Sequence, residues 1–443
     1  MGSKGEVAPG VPFRDAVRFW IKLGFINFGG PTGQIAIMHE ELVERREWIG
    51  TGRFLHALSY CTLLPGPEAQ QLAVYVGWLL HEARGGLVAG IAFVLPAFFL
   101  IWGLSWAFVT HGSIEWVAAV FYGLSAAVIG IVSAAVIRIG RKALRNLFMV
   151  AVATAAFVSL FFLHIAFPFV VVAAGAIGLM AGPRWPETFV VEKVDEDSLG
   201  GAHALISVRR SLIVLLVGLA AWLGPLFAVA AWRGSGDVLS QQAFFFSKAA
   251  LVTFGGAYAV LAYINQAAVL QYGWLLPGQM VVGLGLAEST PGPLIMVTEF
   301  VGYVGAYRHP GGLDPAVAGF LGAVVATWAT FAPCFLWIFL GAPFIERARG
   351  NVRLSAALST ITAAVVGVVL NLAVWFAVHT MFERVREARL FGGPVPIPNF
   401  PSVDPFVLVV AAVTFVGVWK FRRNVVGVVA ASAVAGLVYR VVF

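Results

Sequence analysis

Two lysines, Lys22 and Lys248, stand 226 positions apart in otherwise apolar surroundings. At the same offset "FINFGG" (25–30) meets "LVTFGG" (251–256), and Pro65-Gly66-Pro67 meets Pro291-Gly292-Pro293. Across residues 19–68 every other charged position of the first copy faces an uncharged one in the second. Glu40 meets Gln266, Arg45 meets Gln271, Arg53 meets Gln279 and Glu68 meets Leu294. A lysine inside a membrane costs about 2.5–3.5 kcal/mol on insertion scales, so a cation kept in both copies points to a negatively charged guest. The competing reading is an ammonium that snorkels to the interface.

The proline motifs read as breaks in membrane helices. Residues 53–64 and 68–81 make half-helices of about 18 and 21 Å, short of the roughly 30 Å apolar core. Pro65 ends the first, Gly66 permits the turn, and Pro67 opens the second, where its missing N–H costs nothing. The N–H groups of Gly66, Glu68 and Ala69, and of Gly292, Leu294 and Ile295 in the second copy, are expected to be free. With the helix dipole they would form an anion site. In "FGGP" (28–31), Gly29 and Gly30 would let the backbone approach a ligand, with Thr32 and Gln34 adding polar groups, and Gly255 and Gly256 repeat the pattern. Two lysines and two helix starts sum to about +3, suited to a dianion. Asn27, Thr253, Ser289 and Thr290 are candidate hydrogen-bonders to its oxygens, the alternative being bonds back to their own helices. Glu68, Glu288 and Glu299 are candidates for proton coupling. His39, His56, His81 and His164 lack metal-ligand spacing, and Cys61 and Cys334 imply neither disulfide nor metal. No catalytic residue, metal or cofactor is expected.

The chain around these residues is a membrane protein. Of its 443 residues 60% are hydrophobic and only 12% charged, with mean hydropathy +0.89. A soluble domain carries about 25% charged residues. The net charge of +7 reads as loop orientation, not as nucleic-acid binding. Spans are expected at 85–110, 114–138, 146–163, 165–182, 208–232, 313–340, 354–380, 404–420 and 424–442, with the breaks in 12–82 and 239–308. Residues 381–403 read as a polar loop. The organisation is a first repeat (1–182), a cytoplasmic linker (183–207), a topology-inverting helix (208–238) and a second repeat (239–443). Basic loops at 138–145, 346–353 and 421–423 go to the cytoplasm, and the N-terminus with them. The fold class is thus all-α and polytopic, with two inverted repeats and half-helices that are either broken spans or re-entrant hairpins. That design belongs to secondary transporters, whose site lies where the repeats meet.

"FINFGGPTGQIAIMHEELVERREWI", "LLPGPEAQQLAVYVGW" and the second "FGGA…STPGP" copy together resemble the chromate ion transporter family in its long, two-domain form. The resemblance covers nearly the whole chain. It implies an inner-membrane carrier exporting chromate, driven by the proton motive force, with two oppositely oriented domains and about 13 spans. Its motifs fall on Phe28-Gly29-Gly30, Pro65-Gly66-Pro67, Phe254-Gly255-Gly256 and Pro291-Gly292-Pro293. Ala257 stands where the first copy has Pro31, and Leu294 where it has Glu68, so the halves need not contribute equally. Sulfate or another oxyanion stays open as substrate, protons as coupling ion, and a homodimer as assembly. The rivals are a membrane enzyme acting on lipid-linked phosphate, and a channel.

Overall fold

A computed structural model describes residues 10–28, 30–62, 64–112, 114–189, 208–254, 257–341, 352–390 and 393–442. Gly29, Gly255, Gly256, most of the 183–207 linker and the side chains of Thr32 and His56 lie outside the described residues. Helices dominate: α1 Phe13–Ile26, α2 Gly30–His39, α3 Thr51–Cys61, α4 Glu68–His111, α5 Glu115–Ala143, α6 Leu147–Phe161, α7 Phe167–Ala181 and α8 Val208–Arg233. They continue with α9 Val238–Leu251, α10 Ala257–Gln266, α11 Gln279–Ser289, α12 Val297–Arg308, α13 Pro315–Gly341, α14 Val352–Met381, α15 Pro405–Trp419 and α16 Val425–Val442. Among the described residues six are long and apolar enough to cross a membrane: α4, α5, α8, α13, α14 and α16. Three shorter apolar helices, α6, α7 and α15, accompany them. Eight of the nine expected spans coincide with one of these helices to within five residues, and 85–110 falls in the later part of α4, which already begins at Glu68.

Two local departures have physical causes. Within α4 the backbone leaves helical geometry at His81 and Glu82, the latter at φ +51°. A Cβ on Gly77 would lie 2.5 Å from the Gly85 carbonyl oxygen. Residues eight apart in one straight helix stand about 12 Å apart, so the chain reverses here and 68–80 runs back along the next segment. The region 381–403 is not a plain loop. Val385–Leu390 (β1) and Gly393–Pro398 (β2) pair antiparallel, with Val385 opposite Pro398. The prolines all sit on β2, in a two-stranded ribbon with one outer edge per strand, where a missing donor does least harm.

The chain forms two compact units, and they do not follow the sequence repeats. Residues 1–102, 191–257 and 291–351 make one, and 103–190, 258–290 and 352–443 the other. In the first, α13 packs on α8, α9 and α12. The large residues Leu212, Ile213, Leu216 and Val217 of α8 stay exposed, as a lipid-facing surface would. In the second, α5 packs against α14, α15 and α16, and α14 against α6 and α7. All four Gly motifs, as far as described, belong to the first unit.

Candidate functional site

The two proline turns exchange partners. Gly66 donates its N–H to the Thr253 carbonyl at 2.8 Å, and Gly292 donates to the Asn27 carbonyl at 2.8 Å. Asn27 and Thr253 are the residues before the two FGG motifs and lie at equivalent positions of the repeats. Each PGP turn is therefore tied to the FGG approach of the other copy. The packing repeats the exchange. A Cβ on Gly66 would fall 2.9 Å from Cys334 Sγ, and one on Gly292 would fall 2.4 Å from Ala97 Cβ. Cys334 and Ala97 follow Pro333 and Pro96, the prolines inside α13 and α4. Gly66 at φ +128° and Gly292 at φ +117° hold backbone that side chains rarely adopt.

Two glutamines of the first repeat brace both turns. Gln34 donates from Nε2 to the Gly292 carbonyl at 2.5 Å, and Gln71 donates from Nε2 to the Pro65 carbonyl at 2.8 Å. After the first turn, Gln71 N–H is bonded to the Pro67 carbonyl at 3.0 Å. The N–H groups of Ala69 and Gln70 precede it in the first turn, where a helix start offers donors no intrahelical acceptor. After the second turn, Met296 N–H reaches the Pro293 carbonyl at 2.9 Å, with Leu294 and Ile295 before it. The expectation that Gly66 and Gly292 keep their N–H groups free is corrected, because both use them to lock the turns.

The side chains sort themselves by what they already bond. Thr253 Oγ1 donates to the Ala249 carbonyl, and Ser289 Oγ and Thr290 Oγ1 to that of Leu286. These hydroxyls bond back to their own helices and are not waiting for a ligand. Asn27 is different: it is 0% exposed and neither its Oδ1 nor its Nδ2 has a partner. Gln70 is also 0% exposed with both amide atoms unpartnered. A buried polar group left without a partner costs about 1–3 kcal/mol, and these two side chains differ from the other buried amides in having both amide atoms unpartnered. Gln70 and Gln71 were visible in "EAQQLAV" as adjacent amides in an apolar run. Their counterparts Met296 and Val297 are apolar, so repetition does not mark them.

Both lysines are exposed. Lys22 Nζ lies 3.5 Å from Glu41 Oε1, its side chain 52% exposed. Glu41 is buried and also takes Arg45 at 3.0 Å and Arg46 at 3.4 Å. Burial alone would raise its carboxyl, but Lys22, Arg46 and Arg45 outweigh that and hold its pKa below the usual value. Lys248 is exposed, with no ion pair among the described residues. Neither lysine hydrogen-bonds a turn residue among the described residues. The carboxyl candidates also differ. Glu68 is half-buried at the start of α4. Glu288 is buried and accepts a hydrogen bond from the Tyr258 hydroxyl, with the charge of Arg138 nearby. Glu299 is 0% exposed, and among the described residues its carboxylate finds no polar neighbour but the Trp102 backbone.

The sequence matches known proteins along most of its length. The model of the family described as "Chromate transporter" matches residues 14–179 and 240–437. The chain is 32% identical over 447 residues to a chromate transport protein of Pseudomonas aeruginosa, covering 97% of this chain and 93% of that one. It is 30% identical over 386 residues to the chromate transport protein of Cupriavidus metallidurans, covering 85% and 86%. A probable chromate transport protein of Synechococcus elongatus is 28% identical over 434 residues, covering 94% and 98%. No solved structure matches.

Proposed function

Because the chain belongs to the chromate transporter family, we propose that it carries chromate, a tetrahedral dianion, out of the cell across the inner membrane by alternating access coupled to protons. The observation that carries this reading is the pair of buried, unpartnered amides, Asn27 and Gln70, beside turns locked in place by the opposite repeat. Amide N–H groups and orphan helix donors suit an oxyanion, which needs several hydrogen bonds and no proton acceptor near it. Lys248, exposed and unpaired among the described residues, supplies positive charge on the approach, while the charge of Lys22 is engaged by Glu41. Glu299, buried and with no side-chain partner among the described residues, is the carboxyl we assign to the proton. Glu68 and Glu288 are held in reserve by their position at a helix start and by Tyr258.

The exchanged hydrogen bonds constrain the motion. Rocking one sequence repeat against the other would break both Gly66–Thr253 and Gly292–Asn27. The four motifs are better moved together, as parts of one compact unit. Sulfate, tetrahedral and doubly negative like chromate, would compete.

The test exploits the unpaired amides. Asn27→Leu and Gln70→Met keep shape and remove groups that have no partner. Such changes should leave the protein as stable or more stable, by up to about 1–3 kcal/mol, while abolishing uptake of radiolabelled chromate by inverted vesicles. Wild-type flux in both variants would remove these amides from the site. Glu299→Gln should leave binding intact and make flux indifferent to a pH gradient.

A further inference from the structure

Positive charge collects at one end of the second compact unit. There α5 ends at Ala143 and α6 begins at Leu147, while α15 ends at Trp419 and α16 begins at Val425. Arg141, Lys142 and Arg145 surround the first connection, and Lys420, Arg422 and Arg423 fill the second. All six are exposed, and neither 138–145 nor 419–424 contains an Asp or Glu. The two connections are neighbours: the Arg141 guanidinium stands over the Trp419 ring, 5.6 Å from its centroid. They are also tightly built. Arg145 donates from Nε to the Lys142 carbonyl at 3.0 Å. The N–H groups of Lys420 and Arg423 bond the Val416 and Gly417 carbonyls at 2.9 and 3.0 Å.

The cations stand beside exposed apolar side chains. Leu147 is 82% exposed, Phe421 62% and Trp419 40%, and Lys420 Nζ lies 5.9 Å from the Phe421 ring centroid. The connections are too short to carry the charges away from the apolar helix ends. A bilayer that takes Trp419 and Phe421 at its interface therefore holds the six cations at the depth of lipid phosphates. A water-soluble partner would meet them only above the head groups. Negative charge from the protein is sparse. Asn146 donates from Nδ2 to the Thr188 carbonyl at 2.9 Å, which brings Glu187 near, but Arg184 stands close to it in the chain and both are exposed. Arg138, deeper in α5, is near Glu288 and is not among the six. The next acidic residues along the chain, Glu192, Asp195, Glu196 and Asp197, lie outside the described residues.

We propose that this end of the second unit is a docking site for the phosphodiester head group of an anionic phospholipid. Guanidinium forks take phosphate oxygens in paired hydrogen bonds, and each cation near an anionic membrane surface adds about fivefold in affinity. The exposed Trp419, Phe421 and Leu147 lie against the acyl chains of the same lipid. The proposal does not depend on which ion the chain carries.

Quenching of Trp419 emission by brominated lipid tests it, with the full chain in phosphatidylcholine bilayers and Trp419→Phe as the background to subtract. Brominated phosphatidylglycerol, as a minor component, should quench Trp419 several-fold more than the same fraction of brominated phosphatidylcholine. The excess should fade as salt rises. Lys142→Gln, Arg145→Gln and Arg423→Gln should each lower the relative affinity about fivefold and together remove the excess, whereas Arg423→Lys keeps it. Quenching by brominated phosphatidylcholine should be the same in every variant, which shows that the helix ends are still folded in the bilayer. Equal quenching by the two lipids, or an excess that survives in the triple variant, overturns the proposal. Displacement of phosphatidylglycerol by inorganic phosphate at constant ionic strength overturns it in favour of a free anion. An excess that is absent in the wild type and emerges with Glu192→Gln, Asp195→Asn, Glu196→Gln and Asp197→Asn together overturns it in favour of the chain's own acidic segment.

Discussion

Consider replacing Gly292 by alanine. The new methyl would stand 2.4 Å from Ala97 Cβ, whereas carbon atoms settle at about 3.5–4.0 Å. The turn and α4 must then part by more than about 1 Å, and overpacking of that kind costs about 1–3 kcal/mol. The backbone adds its own penalty, because φ +117° is glycine territory, at about 1–3 kcal/mol for another residue. The total is about 2–6 kcal/mol. The two parts can be separated. Ala97→Gly opens the space without touching the dihedral angle, so the double variant should recover only the packing part. A double-mutant cycle on the unfolding of the purified protein should therefore show a coupling of about 1–3 kcal/mol, with chromate flux partly restored. The mirror pair behaves differently. At Gly66 the obstacles are Gln71 Nε2 at 2.7 Å and Cys334 Sγ at 2.9 Å, side-chain ends that can turn aside, at the expense of the bond from Gln71 to the Pro65 carbonyl. Its cycle with Cys334→Ala should give a smaller coupling. Additive effects at Gly292 and Ala97, or a Gly292→Ala protein as stable as wild type, would refute the exchanged packing of the turns.

Other expectations are simpler to check. Gln34→Leu leaves the Gly292 carbonyl without its side-chain donor and should cost about 1–3 kcal/mol together with flux, whereas Gln34→Glu in its acid form should restore part of both at low pH. The pKa of Glu41 lies below the ordinary glutamate value, so its ion pairs contribute stability above that value and lose it as pH falls through the folded-state pKa. The difference in thermal midpoint between wild type and Glu41→Gln should be level at neutral pH and shrink in acid. A difference that does not change with pH would contradict the ion-pair origin.

How much of this was legible in the sequence differs from residue to residue. The nine apolar helices follow from run length alone, since a bilayer demands it. The proline turns at 65–67 and 291–293 were readable because proline and glycine act locally. The exchange of partners was not. Repetition shows that Asn27 and Thr253 are equivalent, but not that Gly66 chooses Thr253 over its own Asn27. That choice is made by long-range packing, as at Gly292 against Ala97. The mixed composition of the two compact units has the same origin. Gln70 and Asn27 gained their significance from burial, which a uniformly apolar stretch cannot signal because no face of it is marked. The hydroxyls of Thr253, Ser289 and Thr290 lost theirs to nearby carbonyls of their own helices, a competition that spacing leaves undecided. Lys22 stood out by being retained in both copies, yet its partner Glu41 has only Ala267 as counterpart. The ion pair is thus a feature of one copy. The hairpin at 385–398 was masked by its prolines, which disfavour interior strands but not an isolated two-stranded ribbon.

The most direct measurement is the position of a bound oxyanion. Selenate, a tetrahedral dianion with a heavy scatterer, can be located by anomalous diffraction or difference density in the full protein. The account places it within about 2.7–3.2 Å of Asn27 Nδ2 or Gln70 Nε2, alongside the helix starts that follow the two proline turns. Selenate found only at the exposed end of Lys248 or Lys22, with both buried amides still unpartnered, would contradict it.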